Sequence, residues 1–283
     1  MDDAAAREPS RSLLVALGLP GTATAHPTTG ASGAPVWRID TPAGRYALRL
    51  RPFNEEMATR REASAMRAAQ SGGLPVAEVV REETVGDASC LLTSWCPGET
   101  LAKAVLEDGA DARRLGRACG RLQASLHAIE APSELATPRS WLTQTPEEER
   151  VLGGGIDPRA ARLLHLDFHP LNILTDGQAI TGVVDWVNAA AGDPRQDLAR
   201  SLALLNLALL PMVEGTAAVA AVELLTEAWL VGYEEAAGPQ PLMDRFMAWA
   251  GLRTVRDLRG KWPQGALAAM EETVNAWVRA VAD

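Results

Sequence analysis

Two short apolar runs face each other across Asp176-Gly177. The stretch from Asn172 to Asp185 reads Asn-Ile-Leu-Thr-Asp-Gly-Gln-Ala-Ile-Thr-Gly-Val-Val-Asp. Asp-Gly between such runs is a strong hairpin signal, because both residue types tolerate the positive φ that a tight turn needs. A hairpin folds its two ends together. Asn172 and Asp185, thirteen positions apart in the chain, are therefore expected as neighbours in space.

The rest of the chain sets this hairpin inside a larger α+β pattern. Ser12 to Leu19 reads as a short amphipathic helix stopped by Gly18 and Pro20, and Gly21 to Pro35 as a loop. Val36–Asp40 and Tyr46–Leu50 alternate around the turn Thr41-Pro-Ala-Gly44 and make a strand pair. Glu55 to Gln70 has no interior Gly or Pro and reads as a helix ended by Ser71-Gly72-Gly73. Val76–Glu82 and Ser89–Trp95 are two more strand candidates before the break at Pro97-Gly98. Beyond it the pattern is mostly helical: Leu115, Cys119, Leu122, Leu126 and Ile129 form one stripe, and Thr216–Ala237 and Ala266–Ala282 behave similarly. The expected organisation is a sheet-containing N-terminal lobe over residues 1–96 and a helical C-terminal lobe over 97–283.

Composition narrows the function classes. With 283 residues, 47% hydrophobic and 22% charged, the chain can bury a sizeable core. A net charge of −9 disfavours general nucleic-acid binding, which wants a basic face. Residues 1–97 hold 10 Lys+Arg against 11 Asp+Glu, whereas the remainder hold 17 against 25. The acidic part suits a cationic small molecule or serves solubility. Three cysteines without metal-like spacing imply reduced thiols. The N-terminus lacks the apolar stretch of a signal peptide, and the apolar run from Ser201 to Val213 is too short to span a bilayer, so a cytoplasmic protein with no membrane partner is expected.

Just before the hairpin stands His165-Leu-Asp167-Phe-His-Pro-Leu-Asn172. Its H-x-D-x-x-x-x-N spacing matches the catalytic loop of protein kinases, where the Asp orients the attacking hydroxyl, the Asn helps hold Mg²⁺, and a second Asp beyond binds Mg²⁺ at the phosphates. Phosphoryl transfer shifts negative charge, so oxygen ligands for a divalent ion are needed. Asn172 and Asp185 supply such oxygens, and Asp167 supplies a carboxylate that can align an acceptor. Read without function, Asp and Asn beside Pro170 are ordinary turn residues. His169 reads as a loop residue, His165 as a support for the loop, and His127, ending an apolar stripe, as a satisfied buried histidine.

The run from Leu164 to Arg200 resembles the aminoglycoside phosphotransferase family. It carries His165 to Asn172, Gly182-Val-Val-Asp185-Trp186, Gly192-Asp193-Pro194 and Asp197-Leu198-Ala199. The resemblance implies a two-lobed protein-kinase-like fold and an ATP- and Mg²⁺-dependent kinase, with GTP as a possible substitute. It implies Asp167 as the catalytic residue and Asn172 and Asp185 as metal ligands. Asp193 and Asp197 would brace the site, and Trp186 would belong to the core. A phosphate-covering loop falls on Thr29-Gly30-Ala31-Ser32-Gly33, so Ser32 and Gly33 are expected at the phosphates, and the Ser94 carbonyl and Cys96 amide at the adenine. The family's strand lysine is absent: Tyr46-Ala-Leu-Arg49 puts an arginine there, with Glu62 as its best helix partner. Alternation places Arg51 on the same face as Arg49, so pattern alone does not separate the two.

The acceptor implied is a small-molecule hydroxyl, foremost that of an aminoglycoside-like or other cationic antibiotic. A kinase of a choline-, homoserine- or sugar-type metabolite, and a catalytically silent nucleotide-binding regulator, are the alternatives.

Overall fold

The structure, a computed structural model, describes residues 8–28, 36–136, 142–157 and 160–282. A short helix, α1 (Arg11–Ala16), capped by the Ser10 side chain, leads into a five-stranded antiparallel sheet. Its strands are β1 (Thr24–Thr28), β2 (Val36–Thr41), β3 (Gly44–Pro52), β4 (Val79–Val85) and β5 (Ala88–Ser94), in spatial order β1-β2-β3-β5-β4. Leu17, Trp37, Ile39, Leu48, Cys90 and Leu92 fill the core between α1 and this sheet.

Two sequence expectations need correction here. The loop expected over Gly21–Pro35 contains β1, an exposed edge strand whose Pro27 costs nothing on a side with no neighbour. The strand expected at Val76–Glu82 runs instead over β4 and begins three residues later. Val76 forms an isolated bridge to Val183 and so serves another sheet.

Between β3 and β4 lies helix α2 (Glu56–Ser71), ended by Gly72 as the glycine pair suggested. Its inner face, Ala63, Met66 and Ala69, does not join the sheet's core. It packs with Leu115, Leu126, Phe168, Ile173 and Trp186 into the large core of the helical half. That half comprises α3 (Leu101–Leu106), α4 (Ala112–Ala128), α5 (Pro146–Leu152), α6 (Pro194–Leu204), α7 (Thr216–Ala237), α8 (Met243–Leu258) and α9 (Gln264–Ala280). Three short strand pieces complete a small sheet: β6 (Glu99–Thr100), β8 (Ile173–Thr175) and β9 (Ile180–Val183). A two-stranded piece pairs β7 (Arg162–Leu164) with β10 (Ala190–Gly192). The molecule is thus a two-lobed, protein-kinase-like α+β fold with an antiparallel sheet in one lobe and helices in the other.

Helix α7 is long and apolar enough to cross a membrane by length and composition. Its burial within the fold accounts for part of that apolar character: Val222, Leu225, Trp229 and Tyr233 are buried. The α4–α7 contact is close because glycines face it. A Cβ on Gly116 would meet the Leu225 carbonyl oxygen at 2.5 Å, and one on Gly120 would run into the Trp229 carbonyl and lie 2.5 Å from the Tyr233 nitrogen. Gly120→Val should therefore force the two backbones apart and cost about 3 kcal/mol, the upper end of overpacking. Chemical denaturation reads this directly. Gly265→Ala, where an added Cβ meets nothing within 4 Å, serves as the neutral control.

Candidate active site

The expected hairpin forms. β8 and β9 pair antiparallel with Ile173 opposite Val183, and the Val184 amide donates to the Asn172 carbonyl at 2.9 Å. Gly177 takes the positive φ of 83° that the turn needs. Asn172 and Asp185 are thereby held at one end of the hairpin, and both line a cleft of about 340 Å³ between the sheet and the helical half.

Asp167 sits beside Asn172. The Asn172 Nδ2 group donates to the Asp167 carbonyl at 3.0 Å and to its Oδ2 at 3.1 Å. On the other carboxylate oxygen, His169 Nε2 lies 3.3 Å from Asp167 Oδ1. His169 Nδ1 accepts the Leu171 amide, which leaves the proton on Nε2 for Asp167. The sequence places His169 in a loop and gives it no partner. Its place two positions after Asp167, inside the same tight loop, was the signal that could have found it. Burial works to raise the Asp167 pKa, but the His169 hydrogen bond, aided by nearby positive charge, outweighs it and holds the carboxyl below its ordinary range. Asp167 is therefore a carboxylate at neutral pH, fixed on both oxygens and still partly exposed.

The loop that presents it is strained and braced. Leu166, with a bulky side chain, holds φ at 61°, and Asp185 holds φ at 64°. Asp197, buried on α6, accepts the His165 amide at 2.9 Å and the Leu166 amide at 2.7 Å. His127 Nε2 lies 3.0 Å from Asp197 Oδ2, and His127 Nδ1 lies 2.7 Å from the Tyr233 hydroxyl. Burial opposes charge on Asp197, but the hydrogen bonds from His127 and the His165 amide prevail and lower its pKa. The Tyr233 phenol is pushed up by burial and stays protonated, so it donates to His127 Nδ1 and the His127 Nε2–H faces Asp197. His127 is thus the satisfied buried histidine expected.

His165 has the supporting place expected of it. Burial lowers its pKa, which keeps the imidazole neutral. Nε2–H donates to the Val184 carbonyl at 3.1 Å, and Nδ1 accepts the Asp167 amide at 3.3 Å. Its ring stands edge-on to Trp186, 4.7 Å between centroids, and Trp186 is core. Asp193 caps α6 with a capping box to Gln196, and Pro194 occupies the first turn.

Across the cleft, Arg49 Nη2 donates to Asp185 Oδ1 at 3.0 Å and its Nε lies 3.6 Å from Glu62 Oε1. Among the described residues, Arg49 Nη1 is buried without a hydrogen-bond partner. A buried, unpaired guanidinium N–H on a cleft wall suits an anionic ligand. Arg51, which alternation places on the same face as Arg49, is buried and bonded to Glu62. Helix α2 covers this face of β3, a long-range contact that alternation does not reveal.

Ser94 and Cys96 line the same cleft. Ser94 is anchored by Glu78: its amide donates to the Glu78 carbonyl and its Oγ accepts the Glu78 amide, both at 2.9 Å. The connecting segment then lies tight on the hairpin, with Thr181 Oγ1 donating to the Pro97 carbonyl at 2.6 Å. Only glycine fits at 98, where φ is 107° and a Cβ would meet the Thr175 carbonyl oxygen at 2.6 Å. Ser32 and Gly33, expected at the phosphates, lie outside the described residues.

The donor set around the cleft fits a divalent ion shared with a ligand. No group of three or more His, Cys, Asp or Glu side chains able to hold a metal exists among the described residues. The Asn172 Nδ2 group is turned to Asp167 and His169, so its Oδ1 is the atom left for a cation, and Asp185 adds a carboxylate already facing a positive group. One or two protein oxygens completed by substrate phosphates is the usual way Mg²⁺ is held.

The phosphotransferase enzyme family model (APH) matches residues 25–158 and 147–249. Curated protein sequences give no match. Among solved structures, a thermostable mutant of the aminoglycoside phosphotransferase APH(4)-Ia, in ternary complex with AMP-PNP and hygromycin B, is 18% identical with a TM-score of 0.62, covering 90% of this chain and 93% of that one. Aminoglycoside-3'-phosphotransferase of type VIII is 20% identical with a TM-score of 0.62, over 88% of this chain and 99% of that one. Macrolide 2'-phosphotransferase MphH from Brachybacterium faecium is 21% identical with a TM-score of 0.53, over 94% and 96%. At these identities the structures speak for the fold. The family match spans most of the chain, and the chain accordingly belongs to the phosphotransferase enzyme family: it is a small-molecule kinase whose acceptor is a hydroxyl group.

Proposed function

We propose that the protein transfers the γ-phosphoryl group of ATP, bound with Mg²⁺, to a hydroxyl of a cationic small molecule of the aminoglycoside-like antibiotic class. The observation that carries this reading is the meeting of Asn172, Asp185 and Arg49 at one cleft, with the Asp167 carboxylate hydrogen-bonded to Asn172 beside it. Relatives of the same fold are known with AMP-PNP or ADP and hygromycin B bound. The acidic balance of residues 98–283 favours a cationic acceptor.

In this mechanism Asp167 accepts a hydrogen bond from the acceptor hydroxyl and aligns its oxygen for in-line attack. Asn172 Oδ1 and the Asp185 carboxylate would hold Mg²⁺, which would supply positive charge to the phosphate oxygens. Arg49 turns its unpaired Nη1 to the non-transferred phosphates. Ser94 and Cys96, which line the cleft, offer backbone groups to the adenine edge.

The test is a transfer screen with γ-labelled ATP against cationic antibiotics and metabolic alcohols. Asp185→Asn and Asp185→Ala should lose transfer to every acceptor while far-UV circular dichroism stays native. Full transfer by both variants would remove Asp185 from metal binding. Label appearing only on a neutral metabolite would shift the acceptor to the choline-, homoserine- or sugar-kinase alternative. No label on any acceptor, with no Mg²⁺-dependent ATP hydrolysis, would leave the silent nucleotide-binding alternative.

A further inference from the structure

Strand β3 brings two arginines to one face, Arg49 opposite Leu91 and Arg51 opposite Ser89 on β5. Both reach Glu62 on α2, but unequally. Arg51 Nη2 donates directly to Glu62 Oε2, whereas Arg49 holds its Nε 3.6 Å from Glu62 Oε1 and donates from Nη2 to Asp185 Oδ1. Arg51 is itself pinned. Its Nη1 donates to Thr59 Oγ1 at 3.4 Å, and the Ser89 hydroxyl donates to the same Thr59 oxygen at 2.8 Å. Arg51 is 6% exposed and Glu62 4%. Arg49, Glu62 and Asp185 line the cleft; Arg51 does not.

We propose that Arg51 is a positioning residue that takes charge of the α2 glutamate, so that Arg49 stays turned toward Asp185 and the phosphates of a bound nucleotide. This rests on the nucleotide reading above. The physical argument is charge balance in a dry site. Two guanidinium groups face two carboxylates, Glu62 and Asp185, and the four together are neutral. Arg51 carries a fixed fork that satisfies Glu62 and Thr59 at once. Without it, Glu62 would be a buried carboxylate with one cation in reach, and it would draw Arg49 back toward α2 and away from Asp185. The nucleotide would then meet a retracted arginine and an unshielded Asp185. Arg51 never touches the ligand; its effect passes through Glu62 and Arg49.

This makes a distinctive expectation: removing the carboxylate should repair the loss of Arg51. MgADP binding, read by titration calorimetry, should weaken about tenfold in Arg51→Met, the scale of coupling between contacting charged groups. Arg51→Lys, which keeps charge but loses the fork, should fall between. The double variant Arg51→Met/Glu62→Gln should regain most of the lost affinity, because nothing then pulls Arg49 from the cleft. A merely structural role predicts the opposite, a double variant as weak as the single one or weaker. Unchanged affinity in a folded Arg51→Met, or no recovery in the double variant, overturns the proposal. If Arg51→Met does not fold, Arg51→Lys against Arg51→Lys/Glu62→Gln gives the same reading. Absence of MgADP binding by the unaltered protein overturns the nucleotide reading and this proposal together, whereas binding that ignores Arg51 overturns only this one.

Discussion

Replacing Asp167 with Asn should lower turnover by about 10² to 10⁴-fold, the range that a positioned acid–base group contributes. The variant keeps an oxygen for His169 or Asn172 and adds no volume, so folding and MgADP affinity should stay close to those of the unaltered protein. The defect should appear in kcat. Because hydrogen bonding and nearby positive charge hold the Asp167 carboxyl below its ordinary range, turnover of the unaltered protein should not fall through protonation of this group until the pH drops under about 4, the ordinary aspartate value. A steady-state comparison over pH 5–8 checks both points. A folded Asn variant with undiminished kcat would remove Asp167 from the chemistry.

Asp197 should matter as much, for a different reason. It is fully buried and receives two backbone amides and one imidazole. Asp197→Ala leaves all three donors unpaired in a dry interior, at a cost of about 3–5 kcal/mol, the scale for breaking one side of a buried pair. The pH dependence follows from the sign of the shift. The folded-state pKa lies below the unfolded one, so the carboxylate contributes stability that is complete above about pH 4 and disappears as the pH falls through the lowered folded value. The stability gap between the unaltered protein and Asp197→Ala should be constant from pH 6 to 8 and should narrow only in acid. Urea denaturation at several pH values measures it; a gap that grows toward acid would contradict the assignment.

The core of the site was legible because its signals are local. Asp176-Gly177 forces a turn, the turn forces Asn172 and Asp185 together, and the loop motif hangs from the same segment. Asp193-Pro194 carries the local chemistry of a helix start, and α6 begins there. What escaped reading depends on contacts distant in sequence. Arg51 carries the same pattern as any outward strand arginine until α2 folds over it. His169 earns its partner from the curl of a loop, which no periodicity encodes. β1 escaped because Thr-Ala-His-Pro-Thr has neither alternation nor an apolar face, and only its pairing with β2 makes it a strand. Val76 looked like the start of β4 because an apolar residue entering a sheet does not reveal which sheet it enters. Helix α8 carries no sharp start signal: the residue before it, Leu242, adopts φ of 62° and makes no side-chain cap.

The line from Tyr233 through His127 to Asp197 and the Leu166 amide extends the enzyme's sensitivity well outside its mouth. Tyr233 lies buried on the seam between α4 and α7, away from the residues that line the cleft, yet three hydrogen bonds connect its hydroxyl to the backbone that aims Asp167. Natural variation at that seam would be filtered by catalytic performance as well as by folding. A mutational library confined to cleft-facing codons would miss it.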